Sequence, residues 1–530
     1  MDAVNQIPQI ERNVMPSPMP PKSRRRAALQ QRFLSGNIGR PLTMKQDRTL
    51  PNWLIGKSVV FFFVAFAACT IVWGYPMELR YAVISSLSIL LFFYGGKTIS
   101  DGSALLNEKV FLRNVLIWGF VARMLWAFYG YFFFNMDYYG YVYGDAADTG
   151  WYIDYAKGIT EWLTNGGKIS THAAPISFEE LRVSYASSID DIGYPLWLSI
   201  IYLLVGVDND VVIPFIIKCI IGAYCAKLVY NVAKRHFGEG VARMAALFVA
   251  LNPNMIYWCG TMFKEAEMVF LCCLCIDLVD KTFTSGKKLT FKGLLPGVLV
   301  GMYLFFYRAP LAIVLFLAMF AHIVMSSGKV MSNGKKIIAG VMVGIVLLVG
   351  MGDRLRTQAE SLMESVQSNQ QDVNMKWRAK RDGGNEFAKY AGKAVFAPLI
   401  FTIPFPSFNM ANESQILQAQ LSGGNYIKNI FSFFVILVMV LMLLNGEWRR
   451  HVFILAYNLG YLVTLVLSNF AQSSRFHMPI WPFLMLFAAY GIQLSKSNPK
   501  YRRWFTIALC VEVFICLAWN WFKLAGRGMV

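Results

Sequence analysis

The sequence predicts an all-α polytopic membrane protein, and three observations carry the prediction. Charged residues make up only 15% of the 530 positions, against roughly a quarter in soluble domains. Hydrophobic residues make up 56%, and the mean hydropathy is +0.45. The apolar residues also collect in charge-free runs at 58–77, 81–96, 192–207, 244–263, 293–307, 337–352, 429–446, 452–474 and 478–495. Such runs suit helices crossing a hydrocarbon layer, which takes about 20 residues. The alternating pattern of barrel strands is absent. Together these features exclude an ordinary soluble enzyme, a disordered chain, a collagen-like repeat and a small secreted scaffold.

The chain opens with a polar, proline-bearing tail over 1–50, with nine basic and three acidic residues. This tail is expected to be disordered and cytoplasmic, because lysine and arginine favour that side. No cleavable signal peptide is expected. A helical hairpin should occupy 51–110, followed by a transmembrane core over 111–352. Within that core, 135–192 holds nine acidic residues against three basic ones and reads as a long outer loop bearing interfacial helices. An extracytoplasmic insertion is expected at 353–427, where 353–395 carries eight basic and six acidic side chains. The run 394–412 contains Pro398, Pro404 and Pro406, so it is expected to re-enter or lie at the surface rather than span. C-terminal transmembrane helices fill 428–530. The pairs Lys234/Arg235, Lys287/Lys288, Lys335/Lys336, Arg449/Arg450 and Arg502/Arg503 all stay cytoplasmic if 193–207 and 211–233 together cross once. The count is then about 13 crossings, with the N-terminus inside and the C-terminus outside.

Nine cysteines lie in or beside apolar runs and read as small core residues. The histidines His172, His236, His322, His451 and His477 are scattered, without a metal-ligand spacing. No cofactor is expected; no ligand set demands a divalent metal, which leaves one open. The absence of a Walker loop argues against an ATP-driven pump.

The outer loop is the most informative stretch. Asp145, Asp148 and Asp154 follow a helix exit, and helical spacing puts Asp148, Tyr152 and Ala156 on one face. Trp151, Tyr152 and Tyr155 suit a helix in the headgroup layer. Alone, this is an amphipathic interfacial helix with solvated acids. The charge map adds Glu265, Arg308 and Arg475, which fall at outer helix ends beside Asp145 and Asp148. Ionisable groups so near a membrane core need partners. For the arginines these are a phosphate, an ion pair with Glu265 or the lipid headgroups.

The stretch Asp148-Thr-Gly-Trp-Tyr152-Ile-Asp-Tyr-Ala156 resembles the first outer loop of GT-C membrane glycosyltransferases, among them protein O-mannosyltransferase-like and aminoarabinose-transferase-like enzymes. Thr149 stands where that family often carries a second acid, and Asp145 is the alternative to Asp148 for the same role. Further stretches resemble the family in order. They are Gly193-Tyr194-Pro195-Leu196-Trp197, Ala245-Ala246-Leu247 through Asn252-Pro253 to Glu265, Tyr307-Arg308-Ala309-Pro310, and Arg475-Phe-His-Met-Pro479-Ile-Trp-Pro482. The resemblance covers roughly 113–494 and leaves out the tail and first hairpin; the soluble C-terminal domain of some members is not expected here.

The resemblance implies a GT-C-like fold and transfer of a sugar from a polyprenyl-phosphate donor to an extracytoplasmic glycan, lipid or protein. Phosphate is a competent leaving group, so one carboxylate suffices to deprotonate the acceptor, in contrast to the carboxylate pair of glycosidases. Asp148 or Asp145 would be that base and Arg475 would neutralise the leaving phosphate. Tyr152, Lys264, Glu265 and Arg308 would bind substrate. The implied setting is a bacterial inner membrane, with the site extracytoplasmic, membrane lipid as a partner and no nucleic acid. Two other readings compete. A polysaccharide polymerase or ligase acting on lipid-diphosphate glycans would use Arg354, Arg356, Arg378 or Arg381. A transporter or flippase would line a path with ionisable residues such as Arg123, Lys218, Lys227 and Glu512, and would show a repeat; no repeat is visible.

Overall fold

The computed structural model describes residues 43–74, 77–134, 146–172, 174–185, 191–207, 211–285, 290–325, 399–409, 416–467 and 473–525. Positions 1–42 of the tail, the run 337–352, the insertion segment 353–395 with its four candidate arginines, and Asp145 lie outside the described residues. Among the described residues every regular element is a helix. In chain order the helices are α1 (Asn52–Trp73), α2 (Leu79–Ser103), α3 (Glu108–Phe134), α4 (Ala146–Thr164), α5 (Phe178–Ser184), α6 (Gly193–Val205), α7 (Val212–Phe237) and α8 (Glu239–Leu251). They continue as α9 (Glu265–Thr284), α10 (Phe291–Phe305), α11 (Ala309–Met325), α12 (Gln418–Asn445), α13 (Val452–Leu467), α14 (Ser474–His477), α15 (Trp481–Ser497) and α16 (Pro499–Ala525). The end of the tail is helical rather than irregular: Thr43 caps a turn over Met44–Arg48, whose last carbonyls receive the Lys496 ammonium.

Among the described residues, seven helices are long and apolar enough to cross a membrane, against the expected 13 spans: α1, α2, α3, α7, α12, α16 and α13 taken together with the turn Glu447–His451 that leads into it. Part of the difference has local causes, and the run 337–352 lies outside the described residues. The run 192–207 forms the 13-residue α6, about 20 Å long at 1.5 Å per residue and shorter than a hydrocarbon core of about 30 Å. The run 293–307 lies in the 15-residue α10, and 478–495 in the 17-residue α15. The run 244–263 is broken. Pro253 offers no N–H and turns Asn252 out of the helical region, to φ −61°, ψ 123°. A five-residue turn and a 3-10 turn follow before α9 begins.

A broken helix inside a membrane core exposes carbonyls that must find donors. Arg123 of α3 supplies them. Its Nη1 donates to Ala250 O at 2.7 Å and Gly119 O at 2.8 Å, and its Nη2 donates to Val249 O at 3.2 Å. A cation at a helix C-terminus also suits the helix dipole. The break rests on α12 at Gly424, where any Cβ would lie 1.9 Å from Asn254 Oδ1.

The other charges within the spans are also held locally. The Lys227 ammonium lies 4.9 Å from the Tyr224 ring centroid, and Glu512 accepts from the Cys516 thiol at 3.5 Å. The proline-bearing segment 399–409 forms no helix; Lys428 and Asn429 of α12 donate to its carbonyls, and Asn520 Oδ1 of α16 accepts from Phe408 N at 2.7 Å. In the bundle α7 packs against α3, α8 and α9, α12 against α15, α11 against α13, and α1 against α16. Helix α4 lies on α6, with the rings of Tyr152 and Tyr194 edge to face at 5.2 Å.

Candidate functional site

The break between α8 and α9 positions the site. Lys218 of α7, fully buried, donates to Thr261 O at 2.7 Å and also to Phe263 O, so the bend is pinned from below. Lys264 and Glu265 then open α9. Helix α6 docks beside them through Gly193, whose N–H donates to Phe306 O at 2.8 Å. A Cβ there would meet the Tyr307 ring at 2.6 Å, so glycine allows the close approach that brings α6 to Arg308. The short α14 supplies Arg475, and α4 presents Asp148 and Tyr152.

Six of the seven residues singled out from the sequence meet at this one place. Arg475 is the hub: its Nε donates to Glu265 Oε1 at 2.5 Å and its Nη1 to Asp148 Oδ2 at 2.7 Å. Its guanidinium carbon lies 4.2 Å from the centroid of Phe263. Arg308 Nη2 is 3.7 Å from the same Glu265 oxygen, its Nη1 is 3.4 Å from the Tyr461 hydroxyl, and its plane covers Phe476 at 4.2 Å. Lys264 lies over the Tyr152 ring at 5.6 Å and ends on Asp191. Three cations thus face three carboxylates.

Exposure divides these groups into two layers. The Glu265 side chain is 0% exposed, Lys264 5%, Arg308 12% and Arg475 18%. Asp148 and Asp191 are 51% and 42% exposed. Breaking a buried pair costs about 3–5 kcal/mol, whereas an exposed pair is worth about 0–1 kcal/mol. Glu265 therefore anchors the arginines, while the two aspartates pair with buried cations on one side and face water on the other. Burial works against the Arg475 charge, but Glu265 and Asp148 more than offset it and hold the guanidinium's pKa above its ordinary value. Burial draws the Lys264 ammonium below the ordinary lysine value, with Asp191 pulling the other way. Burial, followed by Asp191, pushes the Tyr152 hydroxyl up, which keeps it a neutral donor.

Two participants escaped the sequence reasoning. Asp191 counted only as one of the loop acids, although it stands two residues before the Gly-Tyr-Pro helix. Glu267, in Lys-Glu-Ala-Glu, is buried 3.6 Å from Lys218, which registered only as a charge inside a span. Glu265 Oε2 and both Glu267 oxygens have no hydrogen-bond donor. The histidines are not all scattered: His236 and His451 meet, Nδ1 to Nδ1 at 2.8 Å, at the opposite end of α9. No group of histidine, cysteine, aspartate or glutamate suited to a metal occurs among the described residues. Comparison with protein-family models, curated proteins and solved structures returns no match.

Proposed function

We propose that the chain is an integral membrane glycosyltransferase of GT-C type. It moves a sugar from a polyprenyl-phosphate donor to an extracytoplasmic glycan, lipid or protein acceptor. The observation that carries this reading is the contact of Asp148, a half-exposed carboxylate, with Arg475, 327 residues away and anchored on a buried glutamate. A carboxylate that can reach water beside a fixed guanidinium suits a base next to a leaving phosphate. The acceptor hydroxyl loses its proton to Asp148, and its oxygen forms the new bond to the sugar carbon. The bond from that carbon to the phosphate breaks, and the leaving oxygen takes the electron pair toward Arg475, with Arg308 and Lys264 lowering its charge further. One displacement inverts the carbon. Tyr152 and Glu265 remain to orient the sugar and the arginines. Asp145 stays the alternative base. The GT-C-like architecture, the fuller count of about 13 spans, the bacterial inner membrane and the extracytoplasmic site belong to this proposal.

The transporter reading draws less support, because each intramembrane charge already named has a local partner rather than a place along a path. The test is mass spectrometry of envelope glycans and glycolipids in cells carrying the wild-type chain or Asp148→Asn, at matched protein level. Loss of one sugar mass from a defined acceptor supports the proposal. Collapse of long chains to one repeat unit favours a polymerase or ligase. An unchanged profile removes Asp148 as the base, and Asp145→Asn then decides whether the enzyme reading stands.

A further inference from the structure

The two layers of the site carry a consequence for how it loads. On its inner side Arg475 is fixed by Glu265, which is fully buried and has nowhere to go. The outer sides of Arg475 and Lys264 are covered by Asp148 and Asp191, both about half exposed. Among the described residues Lys264, Arg308 and Arg475 are balanced by Asp148, Asp191 and Glu265, so these six leave no net charge to offer an incoming anion. A phosphate gains the cations only if a carboxylate leaves; each half-exposed aspartate already has one face in water, and the phosphate takes its place on Arg475 or Lys264, so neither buried cation is left bare. Asp148 and Asp191 come from different places in the chain, α4 and the turn before α6, so each can move without dragging the other.

We propose that Asp148 and Asp191 stand in for the ligand's phosphate: they cover Arg475 and Lys264 in the empty site and are displaced when a phosphate binds. This rests on the glycosyltransferase reading and deepens it. Asp148 becomes a free carboxylate only while phosphate occupies the cations, so donor binding arms the base and the acceptor follows the donor. Asp191 is then a gate on Lys264 rather than a sugar ligand.

The experiment uses the full-length chain in detergent, titrated with inorganic phosphate and with farnesyl phosphate, and with farnesol as the phosphate-free control. Tryptophan fluorescence reads binding, since Trp151 lies on α4. Displacement predicts that Asp148→Asn and Asp191→Asn each bind phosphate about tenfold more tightly, a gain of about 1.4 kcal/mol. Asp154→Asn is the control: it removes an equal charge from the exposed face of α4, and affinity should change by less than about twofold. Tightening seen with both probes identifies the ligand as the phosphate group alone; tightening with farnesyl phosphate only identifies it as a lipid-linked phosphate, and both support displacement. Unchanged or weaker binding in Asp148→Asn and Asp191→Asn overturns it, as does equal tightening in Asp154→Asn, or no phosphate binding in any form. The two aspartates sit in different places in the chain, so loss of one variant to misfolding leaves the other decisive. Glycan transfer lost in Asp148→Asn with phosphate affinity unchanged would sink displacement and spare the glycosyltransferase reading. Tightened binding with an unaltered glycan profile would do the reverse.

Discussion

The two ends of α9 hold ion networks of opposite design. At its C-terminal end all four carboxylate oxygens of Asp277 and Asp280 accept. Arg235 donates to one oxygen of each at 2.7 Å, Asn231 reaches Asp277 at 3.2 Å, and His236 lies 2.7 Å from Asp280. His451 closes the set against His236. At the N-terminal end Glu265 uses one oxygen for two arginines, its other oxygen has no donor, and Glu267 faces Lys218 without a hydrogen bond. A saturated network gains nothing from a ligand and serves to tie α7, α9 and the turn before α13 together. An unsaturated one, capped by exposed carboxylates, keeps interaction capacity in reserve. Charge content alone does not separate a structural cluster from a candidate site; the difference lies in how many polar atoms are left to engage.

The comparison breaks or sharpens at named residues. The largest effect is expected for Asp148→Asn, which should lower transfer about 10²- to 10⁴-fold while the thermal midpoint of the detergent-solubilised chain stays put. A midpoint that drops with the activity would make Asp148 a structural member like Asp280. Asp280→Ala should do the opposite, costing about 1–3 kcal/mol of stability by leaving His236 and one side of Arg235 without an acceptor while Asp277 still pairs the arginine, with transfer per folded molecule unchanged. Lys218→Met strands the buried Glu267 and should destabilise by about 3–5 kcal/mol. Adding Glu267→Gln should restore about 1–3 kcal/mol of that loss in a double-mutant cycle, and additive losses would show that the pair does not interact. The smallest effect is Asp191→Asn, about 1 kcal/mol in stability, because the amide oxygen still accepts from the buried Lys264 ammonium. Asp191 pulls the Lys264 pKa upward against burial, so its removal lowers that pKa further. The alkaline loss of phosphate binding should therefore move to lower pH in Asp191→Asn, and a profile identical to wild type would show that Asp191 does not act on Lys264.

Much of the candidate site was legible because its residues sit where apolar runs end. Asp148, Glu265, Arg308 and Arg475 are ionisable groups flanked by membrane-compatible sequence, and such groups need partners. Family-like spacing then grouped them. Asp191 was not legible, since its role depends on Lys264 reaching it across 73 residues. The His236 and His451 contact spans 215 residues and follows from α7 lying beside the turn before α13, which no local pattern encodes. The all-helical class followed from composition, but the lengths of the helices did not. Asn252-Pro253 turns a 20-residue apolar run into a broken helix, and such a run tells nothing of the arginine that makes the break tolerable.

That arginine bears on how the protein is made. Arg123 is synthesised 126 residues before Val249, whose carbonyl it caps. At about 5–20 residues per second, roughly 6–25 s separate the two. An arginine near the centre of a lone helix costs about 2.5–3.5 kcal/mol on insertion. Helix α3 is therefore expected to wait at the insertion machinery until α8 emerges, the two entering lipid as one unit. In nascent chains halted before residue 249, α3 should crosslink to the insertion machinery, and in chains halted well beyond it α3 should crosslink to lipid instead.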